Sequence, residues 1–292
     1  MRICVIFNPA ARGNKARHFR HYLAEIGGRS ALKATAGPGD ARRLATEAVH
    51  DGFDVIVAAG GDGTVHEVLN GIGDSERGFE KARLGVLPLG TVNVFARELQ
   101  TPLKLERAWE VLRRGRERKI DLPRAEFPGT GKKVYFAQLA GAGLDARAIE
   151  LVDFSMKRRV GPLAYVMAGF KALFEKKPKV KASANGSSVS GELVLIGNGK
   201  FYGGPFEIFP SADLSDGLLD VCVFPEADLR TLLRCAPDFL LRRKLPERRI
   251  KRFQGAAFEL TSESGNFELD GELAGALPAR FSIERERLRV IC

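Results

Sequence analysis

The stretch Val55–His66, VIVAAGGDGTVH, determines much of the fold that this sequence predicts. Its first half is a continuous apolar run of the kind found in a buried parallel strand, and a helical pattern follows the glycines. We therefore predict a strand at Asp54–Ala59, a tight turn at Gly60–Gly63 and a helix at Thr64–Ile72. Backbone amides at such a turn favour a bound phosphate, although a plain strand-to-helix turn with Asp62 as the cap explains the pattern equally well.

The rest of the first third alternates strand and helix patterns in the same way. The further strands are predicted at Ile3–Phe7, Ala31–Thr35 and Leu84–Leu87, and the further helices at Asp40–His50, with Asp40 as its cap, and at Asn93–Leu99. This alternation predicts a parallel sheet with right-handed crossovers. The turns Asn8–Gly13 and Leu87–Asn93 would then lie at the carboxyl edge of the sheet beside the Gly60–Gly63 turn, and Arg12 would face a phosphate there.

Beyond Ile120, closely spaced strands replace this alternation and predict a largely antiparallel domain. They are expected at Lys133–Leu139, Val180–Ala184, Leu193–Gly197, Leu219–Phe224, Ala257–Leu260, Phe267–Asp270 and Arg280–Glu284, with helical patterns at Ala146–Asp153, Leu163–Phe174 and Asp228–Leu240. We place the domain boundary near Leu122. Residues 1–122 would form an α/β domain and residues 123–284 a β-rich, sandwich-like domain, with the last strand, 285–292, a candidate to return to the first.

The net charge of +10 over 292 residues points to an anionic partner: nucleic acid, phosphate esters or an anionic membrane. The excess is concentrated in segments 157–181, net +7, and 242–252, net +6. Signatures of nucleic-acid binding are absent from the sequence, so we expect no nucleic-acid partner. In the first segment, Lys and Arg residues flank the apolar helical positions of Leu163–Phe174, as in a helix that lies at a membrane interface. The apolar face could instead pack on the second domain.

Apolar runs in this sequence fall short of the roughly 20 residues that span a membrane. The first residues lead directly into a strand pattern rather than a signal peptide. We therefore expect a cytoplasmic protein that is peripherally associated with the inner face of the membrane through the two basic segments.

Six motifs, in order along nearly the whole chain, give the sequence a resemblance to the diacylglycerol kinase catalytic family, in its soluble bacterial lipid kinase branch, to which sphingosine and ceramide kinases are related. They are NPAARG (Asn8–Gly13), GGDGTVHEVLNGI (Gly60–Ile72), LPLGTVNVFARE (Leu87–Glu98), GAGLDA (Gly141–Ala146), NGKFYGGPFEIFPSADLSDGLLDV (Asn198–Val221) and LDGE (Leu269–Glu272). GGDGT alone is shared with NAD kinases and phosphofructokinase-like folds, whereas the set together is specific.

The resemblance implies an α/β domain like that of NAD kinase and phosphofructokinase, a β-rich second domain, and ATP-dependent phosphorylation of a lipid hydroxyl with Mg²⁺. It implies nucleotide contacts at Thr35, Gly60, Gly61, Asp62, Gly63, Thr64, Val65, His66 and Thr91. It also implies that Glu272 is the general base, and that Asp213, Asp216 and the Leu218 carbonyl bind an additional Mg²⁺. The turns themselves add Asn8, Arg12 and Asn93 to the candidate nucleotide contacts.

The chemistry of phosphoryl transfer agrees with the two catalytic assignments. Such a reaction requires positioning, charge neutralisation and a group that takes the hydroxyl proton. Asp62 could hold Mg²⁺ against the phosphates, and Glu272, directly after Gly271, could offer its carboxylate to the acceptor alcohol. Asp270-Gly271-Glu272 is also typical of a hairpin turn, and Asp213 and Asp216 could be turn residues.

The sequence departs from the family at one position of the second turn. The family places an acid after the Asn, whereas Val94 follows Asn93 here. Because valine binds neither a hydroxyl nor a metal, the acceptor stays open among a diacylglycerol-like lipid, a sphingoid base and ceramide. A soluble-substrate kinase related to NAD kinase and a non-catalytic nucleotide- or lipid-binding regulator are the alternatives, and a homodimer stays open.

Overall fold

The computed structural model describes residues 1–9, 30–152, 163–175, 177–184, 186–237 and 250–292, together with Phe19, Tyr22, Ile26 and Gly28. The chain divides into two compact units, Met1–Leu122 with Arg285–Cys292, and Pro123–Glu284. Its last strand, β18 (Ala279–Ile291), begins in the second unit and ends in the first.

The strands of the first unit are β1 (Ile3–Phe7), β2 (Ala31–Ala34), β3 (Val55–Gly60), β4 (Arg83–Pro88) and the first part of β5 (Glu117–Glu126). The unit is built on a parallel sheet in the order β2-β1-β3-β4, with the end of β18 beside β4. Its helices include α1 (Asp40–His50), α2 (Asp62–Asp74), α3 (Gly78–Lys81), α4 (Val94–Glu98) and α5 (Leu105–Arg114). Buried strand residues pack with Trp109 and Leu112 of α5 in an apolar core.

One predicted helix start and one predicted helix cap in this unit are wrong. Helix α2 begins at Asp62 rather than Thr64, so that Gly61 alone forms the turn. Helix α1 begins at Asp40, but Asp40 does not cap it, because its carboxylate accepts the Ala36 N–H at 2.7 Å. The carboxylate of Glu67, on α2, instead accepts the N–H groups of Gly39 and Ala41 at 3.0 and 2.9 Å. The sequence also did not indicate α5 or β5.

The second unit is an antiparallel β sandwich with short helices. Its first layer contains β7 (Leu139–Gly143), β10 (Leu193–Gly197), β13 (Leu219–Phe224), β14 (Lys251–Gly255), β16 (Asn266–Leu269) and β17 (Glu272–Ala276). The other strands are β6 (Lys133–Tyr135), β8 (Val180–Ala184), β9 (Ser187–Gly191), β11 (Phe201–Tyr202), β12 (Phe206–Glu207) and β15 (Ala257–Thr261). The first layer is a sheet in the order β14-β13-β10-β7-β16-β17. In the second layer β15 pairs with the start of β18 and with β8, and β8 pairs with β9. Together with the parallel sheet, this sandwich confirms the predicted fold class.

Buried side chains from both layers, among them Phe258, Phe267 and Phe281, form the core of the sandwich. Helices α6 (Leu144–Glu150), α7 (Leu163–Leu173) and α8 (Leu229–Pro237) complete the described part of this unit. None of the helices in the described ranges is long and apolar enough to cross a membrane.

The strand predicted at Lys133–Leu139 is interrupted in the structure. It forms β6 and the beginning of β7, with residues 136–138 outside either strand. The carboxylate of Asp270 accepts the N–H groups of Ala137, Gln138 and Leu139 at 2.7, 2.9 and 3.2 Å. Backbone donors bound by this carboxylate are not available for a strand ladder, which explains the break.

Candidate active site

The predicted nucleotide-binding residues of the first unit lie at one edge of its parallel sheet. Asn8, Thr35, Gly61 and Leu89 directly follow the carboxyl ends of the four strands. Backbone hydrogen bonds join these ends: Asn8 N–H donates to Ala59 O at 3.3 Å, Thr35 N–H to Phe7 O at 2.9 Å, and Leu89 and Gly90 N–H to Gly60 O at 2.9 and 3.1 Å. The structure thus brings together residues that are far apart in sequence, at the edge where open α/β sheets bind ligands.

Glycines allow the loops after β3 and β4 to touch. A Cβ on Gly90 would lie 2.5 Å from the Gly61 Cα, and a Cβ on Gly60 would lie 2.2 Å from the Thr64 Oγ1. A side chain at Gly90 would push the two loops apart, whereas one at Gly60 would displace the Thr64 side chain. The resulting backbone surface at the start of α2 is partly exposed and is suited to a phosphate, because the helix N-terminus adds favourable partial charge.

Asn93 organises the second loop from a buried, left-handed conformation, with φ at 54°. Its Nδ2 donates to Gly90 O at 2.7 Å. Its Oδ1 is buried and accepts no hydrogen bond from the described residues. Such an orphaned acceptor fits a hydroxyl or amino donor of a nucleotide, since an unpaired buried polar atom is costly.

Asp62 and Arg97 form hydrogen bonds at the start of α4. The Asp62 Oδ1 accepts the Phe95 N–H at 3.2 Å, and Arg97 Nε donates to Val92 O at 3.0 Å. Asp62 therefore joins the start of α2 to the start of α4. Arg97 lies in the FARE part of the second turn, but no feature of the sequence indicates this role for it.

The remaining candidates of this edge differ in exposure. Thr91 is exposed, Thr64 and His66 are partly buried, and Val65 is buried, so Val65 can offer only its backbone. Val94, in place of the family's acid, is buried on α4. Arg12 lies outside the described residues.

In the second unit, Asp270 and Gly271 form a two-residue hairpin turn between β16 and β17. Their φ angles are 51° and 88°, and Leu269 pairs with Glu272 across the turn. Two consecutive positive φ angles are characteristic of a type I′ turn. The hairpin interpretation of this motif is therefore correct, and the hairpin also presents Glu272 as an exposed side chain at the start of β17.

A pair of buried carboxyl groups that no motif of the sequence indicates lies beside this hairpin. Glu268 is buried, and its Oε2 accepts the Gly271 N–H at 2.6 Å. The hydroxyl of Tyr202 donates to the Asp145 Oδ1 at 2.5 Å. Burial raises the pKa of Asp145, and burial together with the neighbouring Asp145 carboxyl raises the pKa of Glu268 well above its ordinary value. Asp145 lies in GAGLDA, but its contact with Glu268 joins residues that are far apart in the chain.

The loop that contains Asp213, Asp216 and Leu218, which was predicted to bind an additional Mg²⁺, consists of turns. The Asp213 Oδ1 accepts the Ser215 N–H at 2.9 Å, and the Asp216 Oδ1 accepts the Leu218 N–H at 2.8 Å. Within the described ranges, no group of three or more His, Cys, Asp or Glu side chains could hold a metal ion. Two carboxylates and a carbonyl nevertheless form an all-oxygen donor set, which is the kind that Mg²⁺ prefers.

Comparisons with known proteins cover almost the whole chain. Residues 2–125 match the diacylglycerol kinase catalytic domain, and residues 138–292 match the YegS C-terminal NAD kinase beta sandwich-like domain. The diacylglycerol kinase of Bacillus subtilis (strain 168) is 31% identical over 289 residues, which are 95% of this chain and 91% of that protein. The diacylglycerol kinase of Staphylococcus aureus (strain JH9) is 31% identical over 268 residues, which are 90% of this chain and 82% of that protein.

Solved structures share the fold. The crystal structure of a diacylglycerol kinase from Bacillus anthracis str. Sterne superposes with a TM-score of 0.77 at 23% identity and covers 99% of this chain and 96% of that one. A second structure from the same organism gives a TM-score of 0.80 at 22% identity, with 99% and 94% covered. At these identities the structures establish the fold, and the sequence relatives establish the family. The chain therefore belongs to the diacylglycerol kinase family and is a lipid kinase.

Proposed function

We propose that this lipid kinase transfers the γ-phosphoryl group of ATP to the hydroxyl of a membrane lipid. The observation that carries the proposal is the contact between Gly61 and Gly90, which joins two strand-end loops into one backbone surface at the start of α2. The buried acceptor of Asn93 supports a nucleotide there. Asn8, Thr35, residues 60–66 and Thr91 would complete the nucleotide site, with Arg12 as a further candidate.

Asp62 is the residue that we propose holds Mg²⁺ against the phosphates. Asp62 is the first residue of α2 and lies beside the proposed phosphate surface. Proteins usually bind Mg²⁺ through one or two carboxylates, and water molecules supply further ligands. A bound Mg²⁺ would neutralise charge on the phosphates during transfer. Asp213, Asp216 and the Leu218 carbonyl are proposed to hold the additional Mg²⁺.

Glu272 is the proposed general base. Its carboxylate is exposed at the beginning of β17, immediately after a turn that Asp270 and Glu268 fix through backbone hydrogen bonds. A carboxylate in a fixed position can accept the proton of an acceptor alcohol, a contribution of about 10²–10⁴-fold to the rate.

An anionic membrane surface, at the inner face of the cell membrane, is the proposed docking partner. Helix α7 buries its small residues Ala168 and Ala172, whereas Met167, Phe170 and Phe174 are 50%, 53% and 66% exposed. A row of exposed large apolar side chains next to Lys171 is typical of an interfacial helix. The basic segments 157–181 and 242–252 would add electrostatic attraction, although residues 157–162, 176 and 242–249 lie outside the described residues.

Phosphate transfer from radiolabelled ATP in mixed micelles tests the proposal. The acceptors are diacylglycerol, a sphingoid base, ceramide and phosphatidylglycerol, and the variants are Asp62→Asn and Glu272→Gln. Asp62→Asn keeps an oxygen that can accept the Phe95 N–H but loses the charge. We expect one lipid product and a loss of about 10²-fold or more in each variant. Glu259→Gln, an exposed carboxylate on β15, is the matched control and should be fully active.

Two results would contradict the proposal. One is the absence of any phosphorylated lipid while the protein is folded. The other is full activity in both Asp62→Asn and Glu272→Gln, since the chemistry would then depend on neither carboxylate.

A further inference from the structure

Two carboxyl groups meet above a glycine in the second unit. Gly141, on β7, pairs with Glu268 on β16, and the space that its side chain would fill is occupied by the acids. A Cβ on Gly141 would lie 1.9 Å from the Asp145 Oδ2 and 2.8 Å from the Glu268 Oε1. The two oxygens are therefore neighbours.

The hydrogen bonds of this pair are incomplete without a proton. The Tyr202 hydroxyl donates a hydrogen bond to the Asp145 Oδ1, and the Gly271 N–H donates one to the Glu268 Oε2. The Glu268 Oε1 is buried, and no N–H or O–H of the described residues donates to it. Two ionised carboxylates cannot bond to each other, whereas one proton held between them would satisfy both inner oxygens.

The charges around the pair also favour one proton shared between the two carboxyl groups. Among the titratable groups in the described part of the chain, Tyr202 from β11 and Asp270 from the turn act on the pair, and neither is a cation. Arg147, further along α6, is engaged by Glu150 and Glu175 at 2.7 and 2.6 Å. Like charges that share a buried site raise one pKa strongly, so that one proton is retained.

The pair is directly linked to the proposed base. Glu268 holds the N–H of Gly271, the residue that precedes Glu272. Gly271 is in a left-handed conformation, so its peptide orientation determines where β17 and the Glu272 side chain begin. A change in charge at Glu268 would act on this turn.

We propose that Asp145 and Glu268 share one proton, and that this proton keeps the Asp270-Gly271 turn in the conformation that positions Glu272. Asp145 and Glu268 are thus positioning residues for the phosphoryl transfer. The inference rests on the proposed role of Glu272. As the pH rises through the raised pKa of the pair, the proton is lost, two like charges are left in a buried site, and activity falls.

The pH profile of phosphate transfer, compared between the wild type and three variants, tests this inference. In Glu268→Gln the amide oxygen can accept the Gly271 N–H and the amide N–H can donate to Asp145, so no titrating proton is required. We expect Glu268→Gln to be active near neutral pH and to lose the alkaline fall of the wild type. Glu268→Ala should lose about 10²-fold throughout, as expected for a misplaced catalytic group. Glu259→Gln should follow the wild-type profile.

Infrared spectroscopy provides a readout that does not depend on activity. The wild type should show the C=O stretch of a protonated carboxyl at neutral pH, and Glu268→Gln and Asp145→Asn should each lose it. Glu268→Gln with the alkaline fall of the wild type, or an infrared band unchanged in both variants, would overturn the inference. The band reports the shared proton whichever residue is the base, and the Glu272→Gln assay reports the base whether or not the proton is shared.

Discussion

Gly90 shows how a single missing side chain can determine the geometry of a site. Its φ is not in the left-handed region, so its conformation alone would allow alanine. The restriction comes from its neighbours, because an added Cβ would lie 2.5 Å from the Gly61 Cα and 2.8 Å from the Asn93 Oδ1. The Gly61 Cα is a backbone atom, so it cannot avoid the clash by a change of rotamer.

Gly90→Ala is therefore expected to separate the loops after β3 and β4. Overpacking of this kind costs about 1–3 kcal/mol, and the proposed nucleotide surface should lose affinity as its two halves move apart. ATP titration by calorimetry and thermal unfolding measure the two effects. Gly129→Ala is the control, since its Cβ would meet open space. Equal ATP affinity in the two variants would refute this view of the loops.

Asp270 has two structural roles, of which the sequence predicts only one. The Asp-Gly pair predicts a hairpin turn from local conformational preference, and the structure contains that turn. The carboxylate also binds three consecutive N–H groups at residues 137–139, more than a hundred positions away in the chain. This second role depends on tertiary contact, and no local pattern indicates it.

Among the elements, α7 has an unusual distribution of side chains. The sequence predicts its helical periodicity and leaves open whether the large apolar side chains face the second unit or solvent. In the structure Ala168 and Ala172 are buried and Phe170 and Phe174 are exposed, with the two rings in an edge-to-face contact at 5.1 Å. Over residues 167–174 the chain therefore packs through its small residues.

The double variant Phe170→Ser, Phe174→Ser should bind vesicles more weakly. Burying a phenylalanine contributes about 1.5–3 kcal/mol, so even partial insertion predicts a loss of tenfold or more in partitioning. Sedimentation with anionic and neutral vesicles measures it, and Leu233→Ser, another exposed apolar residue, is the control. Binding of the wild type should also weaken between about 0.1 and 1 M salt, as the screening length falls from about 10 to 3 Å.

Unchanged vesicle recovery in the double variant would contradict the proposed docking through α7. Equal recovery of the wild type in neutral and anionic vesicles would contradict the role of the basic segments. The thermal stability of the double variant should remain close to that of the wild type, because the exposed rings contribute little to the packed core.

At the scale of the whole molecule, the chain terminus completes the first unit. Residues 285–292 belong to that unit, and Val290 pairs with Leu84 of β4. Leu288, Val290 and Ile291 are buried there. The chain thus returns to its first sheet after it has formed the second unit.

Removal of residues 285–292 should destabilise the first unit severely. Each of the three buried side chains contributes about 1.5–3 kcal/mol as an upper estimate, and their sum approaches the whole stability of a typical domain. Soluble yield and thermal unfolding measure the effect, and deletion of Cys292 alone is the control. A truncated chain with wild-type unfolding behaviour would show that the last strand is dispensable.

The sequence by itself determined the βα alternation, the glycine turns, several of the sandwich strands and the family, because these depend on local conformation, periodicity and motifs. Only the tertiary structure decided that Glu67 rather than Asp40 accepts the N–H groups at the start of α1, that Gly61 and Gly90 touch, and that Asp145 and Glu268 share a buried space. The reason is physical. Local preferences act between neighbours in the chain, whereas desolvation, close packing and long-range hydrogen bonds act between residues that meet only when the chain has folded.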